Sequence, residues 1–198
     1  ARLRSRFKPK DARTFDLLEA IGRDCGGAVQ LLPQDAVPQG WDAVNCEPLD
    51  EEQIAALLQA IPSEDTPEGM QDEDLFRISL AGAQEKTALT FWNGRWCRPH
   101  GATPTTHIVK LPLGLIGGSK RVDASDSVQN EWLCAQIVEA LGLPVAPTSM
   151  ASFGGQTVLV VERFDRERMD GGAWIARLPQ EDFCQAMGLP SDKKYEQH

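Results

Sequence analysis

Apolar positions in the first third of the chain recur at helical spacing. Ile54, Leu57, Leu58 and Ile61 follow Asp50, which forms a capping-box pattern with Gln53, and together they predict a helix with one apolar face. Upstream, Thr14 with Phe15, Leu17, Leu18 and Ile21 predicts a short capped helix ending at Gly22. Ala28 to Leu32 predicts a strand after the Gly26-Gly27 turn. The run from Pro62 to Asp74, with two prolines, one glycine and six acids, buries little and reads as a linker.

Beyond the linker the period shortens to that of strands. Leu75 to Leu80 and Thr87 to Trp92 flank a loop of small residues, and Asn93-Gly94 is a strong hairpin signal before Arg95 to Arg98. Thr106 to Leu111 predicts another strand, and Gly114, Gly117 and Gly118 mark a loop. Asp126 or Ser127 then caps a helix to about Leu141, closed by Gly142 with Pro144 beyond. Ala146 to Ser152 and Gln156 to Val161 flank Gly154-Gly155 as a second hairpin. Gly171-Gly172 precedes a short strand, and Pro179 with Glu181 and Asp182 in the first turn opens a helix ending near Gly188. The expected fold class is α+β: an antiparallel sheet with one packed helix, plus a small amino-terminal α+β unit. The expected division is 1–61 for that unit, 62–74 for the acidic linker, 75–165 for the main lobe, and 166–198 for the start of a further, truncated lobe.

Composition narrows the class without changing that picture. An apolar fraction of 41% with 25% charged residues is ordinary for a globular chain. A formal charge of -9 disfavours a bare phosphate backbone as partner of the whole surface. The alternating Arg2, Arg4, Arg6, Lys8 and Lys10 read as a solvated terminus. Five widely spaced cysteines, with no metal-ligand spacing, predict buried thiols in a reducing cytoplasm. His107 reads as a packed or surface imidazole, and His100 and His198 lie near turns or ends. A start at Ala1 without methionine and a stop at His198 suggest a segment of something longer.

The candidate chemistry lies in residues 81–164. Ala81-Gly82-Ala83-Gln84-Glu85-Lys86 is a loop of little bulk whose backbone N–H groups can face a polyphosphate. Taken alone it is more often an ordinary hairpin turn. Lys86-Thr87 does not make a Walker A loop, since one glycine is present and a strand follows. Lys110 sits on a strand and Glu131 within a helix, each unremarkable alone. In the order loop, strand lysine, helix glutamate, apolar strand, however, they match the arrangement of a kinase amino lobe. Val158 to Val161 is a buried-strand run, followed by the abruptly charged Glu162-Arg163-Phe164-Asp165-Arg166. That boundary reads either as a hinge offering main-chain groups to adenine or as an exposed strand end. Ser79 has no local base to make it a nucleophile, but phosphate added there would repel bound phosphates.

These segments resemble HipA-type toxin kinases, the toxin half of bacterial toxin and antitoxin pairs. The matching residues are Phe76 to Leu89, Thr103 to Pro112, Asn130-Glu131, Val161 to Arg166 and Arg177 to Asp182, with a further stretch from Phe15 to Asp24. The resemblance implies an ATP- and magnesium-dependent serine/threonine kinase that phosphorylates glutamyl-tRNA synthetase, inhibits translation and promotes persistence. It implies restraint by a dimeric helix-turn-helix antitoxin of the HipB type, which holds the kinase on operator DNA. By resemblance, Ala81, Gly82, Ala83, Gln84, Glu85 and Lys86 match the phosphate loop, Lys110 the ATP-contacting lysine, and Glu162, Arg163 and Phe164 the adenine-contacting hinge. Ser79 matches the autophosphorylated serine, whose modification is associated with loop ejection and loss of ATP binding.

The family's catalytic aspartate, catalytic-loop asparagine and metal-binding aspartate are expected downstream. Asp165, Asp170, Asp182 and Asp192 stand in none of those contexts. The segment alone is therefore expected not to transfer phosphate and to hold no catalytic or metal-binding residue. Two alternatives are a non-catalytic, pseudokinase-like module on a DNA-bound repressor, and a small ATP-grasp or phosphate-binding enzyme supported by little beyond the loop.

Overall fold

A computed structural model describes residues 22, 24–32, 34–61, 78–79, 84–116, 121–190 and 193. The expected helix from Thr14, the linker from Pro62 to Asp74, and Ala81, Gly82, Ala83 and Asp192 lie outside the described residues. Among the described residues the fold is α+β, built on a six-stranded sheet. Its members are β2 (Cys46–Pro48), β4 (Lys86–Trp92), β5 (Arg95–Pro99), β6 (His107–Lys110), β9 (Thr148–Phe153) and β10 (Gln156–Glu162), in the order β2-β5-β4-β6-β10-β9. Every neighbouring pair is antiparallel.

Local chemistry accounts for the turns. Asn93 and Gly94 both take positive φ, 49° and 77°, which gives the connection between β4 and β5 a twist that suits a two-residue hairpin. Gly154 and Gly155, at 57° and 78°, do the same between β9 and β10. Helix α1 (Glu51–Ala60) starts at the expected reciprocal cap: Gln53 N–H donates to Asp50 Oδ1 at 2.8 Å and Asp50 N–H to Gln53 Oε1 at 2.9 Å. Its buried Ile54, Leu57 and Leu58, with Ile61, pack on the sheet face formed by Leu89, Val109, Val158 and Val160. Each such side chain contributes roughly 1.5–3 kcal/mol on burial. Residues 46–61, expected within an amino-terminal unit, thus supply an edge strand and a helix to the same core.

Helix α2 (Ser127–Ala140) contacts β9 and β10, and its Glu131 reaches Lys110, whose neighbour Val109 faces α1. The sheet is thereby sandwiched between two helices. Asp126 stands at the α2 cap position without a side-chain cap bond, while Ser127 Oγ accepts from Leu113 N–H at 2.9 Å. Smaller pairings surround the sheet: β1 (Asp24–Cys25) with β3 (Ile78–Ser79) in parallel, β7 (Gly114–Ile116) with β8 (Val122–Ala124), and β11 (Arg166–Met169) with β12 (Trp174–Arg177).

Three expectations are corrected. Ala28 to Leu32 is not a strand, because Gly27 turns the chain at φ 69° and its main chain is bonded by Asp165 and Arg166. Gly114 begins a strand, β7, paired antiparallel with β8, rather than a loop, and Gly117 and Gly118 lie outside the described residues. The last helix, α3 (Phe183–Ala186), is a single turn in which Asp182 is the cap, bonded to Gln185, rather than a first-turn residue.

Gly154 offers a test of the α1 contact. A Cβ there would lie 2.6 Å from Ala55 Cβ, at a φ that disfavours side chains, whereas a Cβ on Gly155 would meet nothing within 4 Å. Gly154→Ala is expected to cost about 1–3 kcal/mol in denaturant unfolding, and Gly155→Ala only about 1 kcal/mol from its φ. Equal losses would contradict the contact.

Candidate functional site

Antiparallel pairing of β4 with β6 sets Lys86 directly opposite Lys110, so both side chains leave the same face of the sheet. Directly opposed like charges are unfavourable, and each amine here has its own oxygen. Lys86 Nζ donates to the Gln84 carbonyl at 2.6 Å. Lys110 Nζ is ion-paired with Glu131 of α2. Burial, then the charge of Lys110, holds the Lys86 pKa below its ordinary value, with Glu85 and Glu131 pulling the other way. The Lys110 side chain keeps 23% of its surface exposed, and its amine is therefore oriented without being sealed.

The described end of the small-residue loop is stitched to this place. Leu111 N–H donates to the Glu85 carbonyl at 3.0 Å, and Gln84 Nε2 to the Leu111 carbonyl at 2.7 Å. Leu159, fully buried, pairs with Lys110 from the other side. The structure therefore brings Gln84, Glu85, Lys86, Lys110 and Glu131 together. Two ammonium groups on one face beside a loop end suit a polyphosphate, whose charge would relieve their mutual repulsion. Ser79 pairs through its backbone with Cys25, in the strand that leads toward the loop.

At the end of β10 the three expected hinge residues part company. Glu162 and Phe164 are exposed, Phe164 by 71%, whereas Arg163 is buried. Glu162 N–H donates to the Pro147 carbonyl and Arg163 N–H to the Thr106 carbonyl, both at 2.9 Å.

The Arg163 side chain enters an ionic cluster that reading the sequence did not foresee. It chelates Asp165, with Nε to Oδ1 at 3.0 Å and Nη2 to Oδ2 at 2.8 Å, and reaches Asp24 Oδ2 at 3.2 Å. Arg166 joins Asp24 and Asp165, each at 3.0 Å, and Arg177 approaches Asp24 at 3.4 Å. Thr105 donates from both its main chain and its hydroxyl to Asp24, and Gly27 N–H donates to Asp165 at 2.7 Å. Two carboxylates thus face three guanidinium groups in a nearly dry site. Burial opposes the Asp165 charge, yet hydrogen bonds and charges from Arg163, with Arg166 and Gly27 adding, hold its pKa below the usual carboxylate value. The signal for this cluster was the density of arginines and aspartates in 163–166. Their abrupt charge suggested solvent, and their partner Asp24 is remote in sequence.

The other acids beyond the hinge are also engaged: Asp170 accepts from Trp174 Nε1 at 2.8 Å and Asp182 caps α3. Among the described residues no group of three or more His, Cys, Asp or Glu could hold a metal. Those residues fit a polyphosphate better than they fit a metal ion. All five cysteines are free thiols, of which Cys97 and Cys184 are buried as expected, whereas Cys25 and Cys46 are half-buried and Cys134 is exposed. Cys46 has its pKa pushed up to about 12 by burial and by the adjacent Cys97. No helix among the described residues is long and apolar enough to cross a membrane.

Comparison with known proteins gives these contacts a context. A family model described as "HipA-like C-terminal domain" matches residues 78–198. "Putative kinase Y4mE" of Sinorhizobium fredii is 38% identical over 187 residues, covering 93% of this chain and 42% of that protein. "Serine/threonine-protein kinase toxin HipA" of Shewanella oneidensis is 31% identical over 195 residues, covering 93% and 39%. The solved complex of Shewanella oneidensis HipA, HipB and operator DNA matches with a TM-score of 0.69 at 29% identity, over 98% of this chain and 42% of that one. The chain therefore spans about two-fifths of the length of these relatives.

Proposed function

Since the chain belongs to the family of HipA-like C-terminal domains, we propose that it is the ATP-binding part of a serine/threonine-protein kinase toxin. The observation that carries this reading is the convergence of Lys86, Lys110 and Glu131 on the anchored end of the 81–86 loop. In the proposal Lys110 neutralises the ATP phosphates, Glu131 positions it, and Ala81, Gly82 and Ala83 complete the phosphate cradle. Main-chain groups of Glu162, Arg163 and Phe164 border the adenine. Bound ATP supplies the phosphoryl group to be transferred, and magnesium would be held by residues outside this chain.

The partners proposed are those of the similar complex: a HipB-type antitoxin and, through it, operator DNA. The proposed protein substrate is glutamyl-tRNA synthetase, acted on in the cytoplasm, with inhibited translation and persistence as the outcome. Incubating the full-length protein with labelled ATP and glutamyl-tRNA synthetase tests this directly. Label on a synthetase serine or threonine supports the proposal, and ATP binding without transfer to any protein would instead favour a non-catalytic partner of the repressor. The engagement of Asp165, Asp170 and Asp182 in structural bonds is what gives that second reading its weight.

Autophosphorylation of Ser79 is proposed as the off switch. A phosphate adds about two negative charges, placed in the strand that precedes the loop. Ser79→Asp is expected to weaken ATP binding at least about tenfold, since even one carboxylate opposes the same phosphates. Unchanged affinity by calorimetry would remove Ser79 from the mechanism.

A further inference from the structure

The sheet face opposite Lys110 holds a second recess, at the end of the sheet nearest the hinge. Phe91 of β4 pairs with Trp96 of β5, and His107 of β6 pairs with Glu162 of β10, so alternation places all four side chains on one face. Their rings stand at steep angles: Phe91 to Trp96 at 4.9 Å and 59°, Phe91 to His107 at 6.0 Å and 78°, Trp96 to His107 at 5.1 Å and 81°. With Val160 and Pro147 they line a cavity of about 240 Å³ whose rim carries the Glu162 carboxylate.

The polar groups here make the recess hospitable to positive charge. Thr106 Oγ accepts from Phe91 N–H at 2.8 Å and lies 2.8 Å from His107 Nδ1. Burial, and then the charge of Arg168, hold the His107 pKa below its ordinary value against the pull of Glu162, which favours the neutral ring. Arg168, the neighbouring guanidinium, is held 4.9 Å from the Trp92 ring centroid and bonds to the Phe91 carbonyl at 2.9 Å. The rest of the lining is a set of mutually tilted aromatic rings, one carboxylate and the small polar residues Thr148 and Ser149. The recess therefore offers aromatic surface beside one carboxylate, which supplies the counter-charge for a cation seated against the rings.

We propose that Phe91, Trp96, His107 and Glu162 form a binding site for a small organic cation, an alkylated ammonium group of the choline type. A bare ammonium would lose too much hydration in a recess with one carboxylate, whereas methyl groups spread the charge over surface that packs against rings. The site lies behind the hinge and shares β6 and β10 with the lysine site. Its occupant would thus bear on the Glu162 backbone from the side away from Lys110.

The test titrates the full-length protein by calorimetry with choline and with its uncharged isostere 3,3-dimethylbutan-1-ol. Choline is expected to bind at least about tenfold more tightly, because the isostere offers the same shape without the charge. Glu162→Gln and Trp96→Leu are each expected to weaken choline about tenfold while leaving the isostere less affected. The comparison on the unaltered protein stands even if Trp96→Leu fails to fold. Equal affinity for the two ligands, or no saturable choline binding up to about 50 mM, would overturn the assignment.

Discussion

Lys110→Ala in the full-length protein is expected to lower ATP affinity about a hundredfold, or about 2.7 kcal/mol, and to remove phosphoryl transfer. The effect is electrostatic. Lys110 is oriented by Glu131 and lies opposite Lys86, so the face presents two positive charges and one negative one. Deleting the amine leaves Glu131 facing the proposed phosphates without its partner, which converts attraction into repulsion. Glu131→Gln separates the two contributions: the lysine keeps its charge but loses its ionic tether. That variant is expected to show a smaller loss of affinity than Lys110→Ala and a marked loss of turnover, because an untethered lysine no longer fixes the phosphates for transfer. Nucleotide titration and single-turnover transfer measure the two quantities. Wild-type affinity in Lys110→Ala would overturn the proposed phosphate site.

The second large effect concerns stability. Asp24→Ala leaves Arg163 and Arg166 with Asp165 as their remaining carboxylate, removes the Arg177 ion pair with Asp24, and strands the Thr105 donors. Breaking a buried ionic group on one side typically costs 3–5 kcal/mol, roughly a third or more of an ordinary domain's stability. Asp24→Asn, which retains an acceptor for Thr105, is expected to lose less. Acid provides a matching signature through Asp165. Its pKa is depressed on folding, so its stabilising contribution is complete above the unfolded carboxylate pKa near 4 and disappears as pH falls through the lower folded value. Denaturant titrations of wild type and Asp24→Ala across that range check both statements. A loss under about 1 kcal/mol for Asp24→Ala would mean that the cluster is not under strong mutual obligation.

Elements specified by neighbours in sequence were legible, and those specified across the fold were not. The Asp50–Gln53 cap, the Asn93-Gly94 turn and the helix closed by Gly142 each follow from a few adjacent residues. β2 is three residues of Cys-Glu-Pro held by pairing with β5, and nothing in its own pattern marks it as a strand. The parallel contact of Asp24–Cys25 with Ile78–Ser79 is equally silent. Helix periodicity could place Glu131, and strand order could place Lys110, so their approach was readable as an arrangement of the lobe. The opposition of Lys86 to Lys110 required the register, which depends on the Leu111–Glu85 connection. Arg163 misled most, because a charged residue after an apolar strand suggests solvent until three distant partners are seen around it.

The alternation along β6 imposes a rule of parity on this gene. His107 and Val109 look toward α1 and the aromatic recess, while Ile108 and Lys110 look the opposite way. A one-codon insertion between Thr106 and Lys110 would deliver the ammonium to the oily side and an aliphatic chain to the proposed phosphate site. Two added codons would preserve orientation and disturb reach alone. Length variants in this strand should therefore survive, if at all, in even steps.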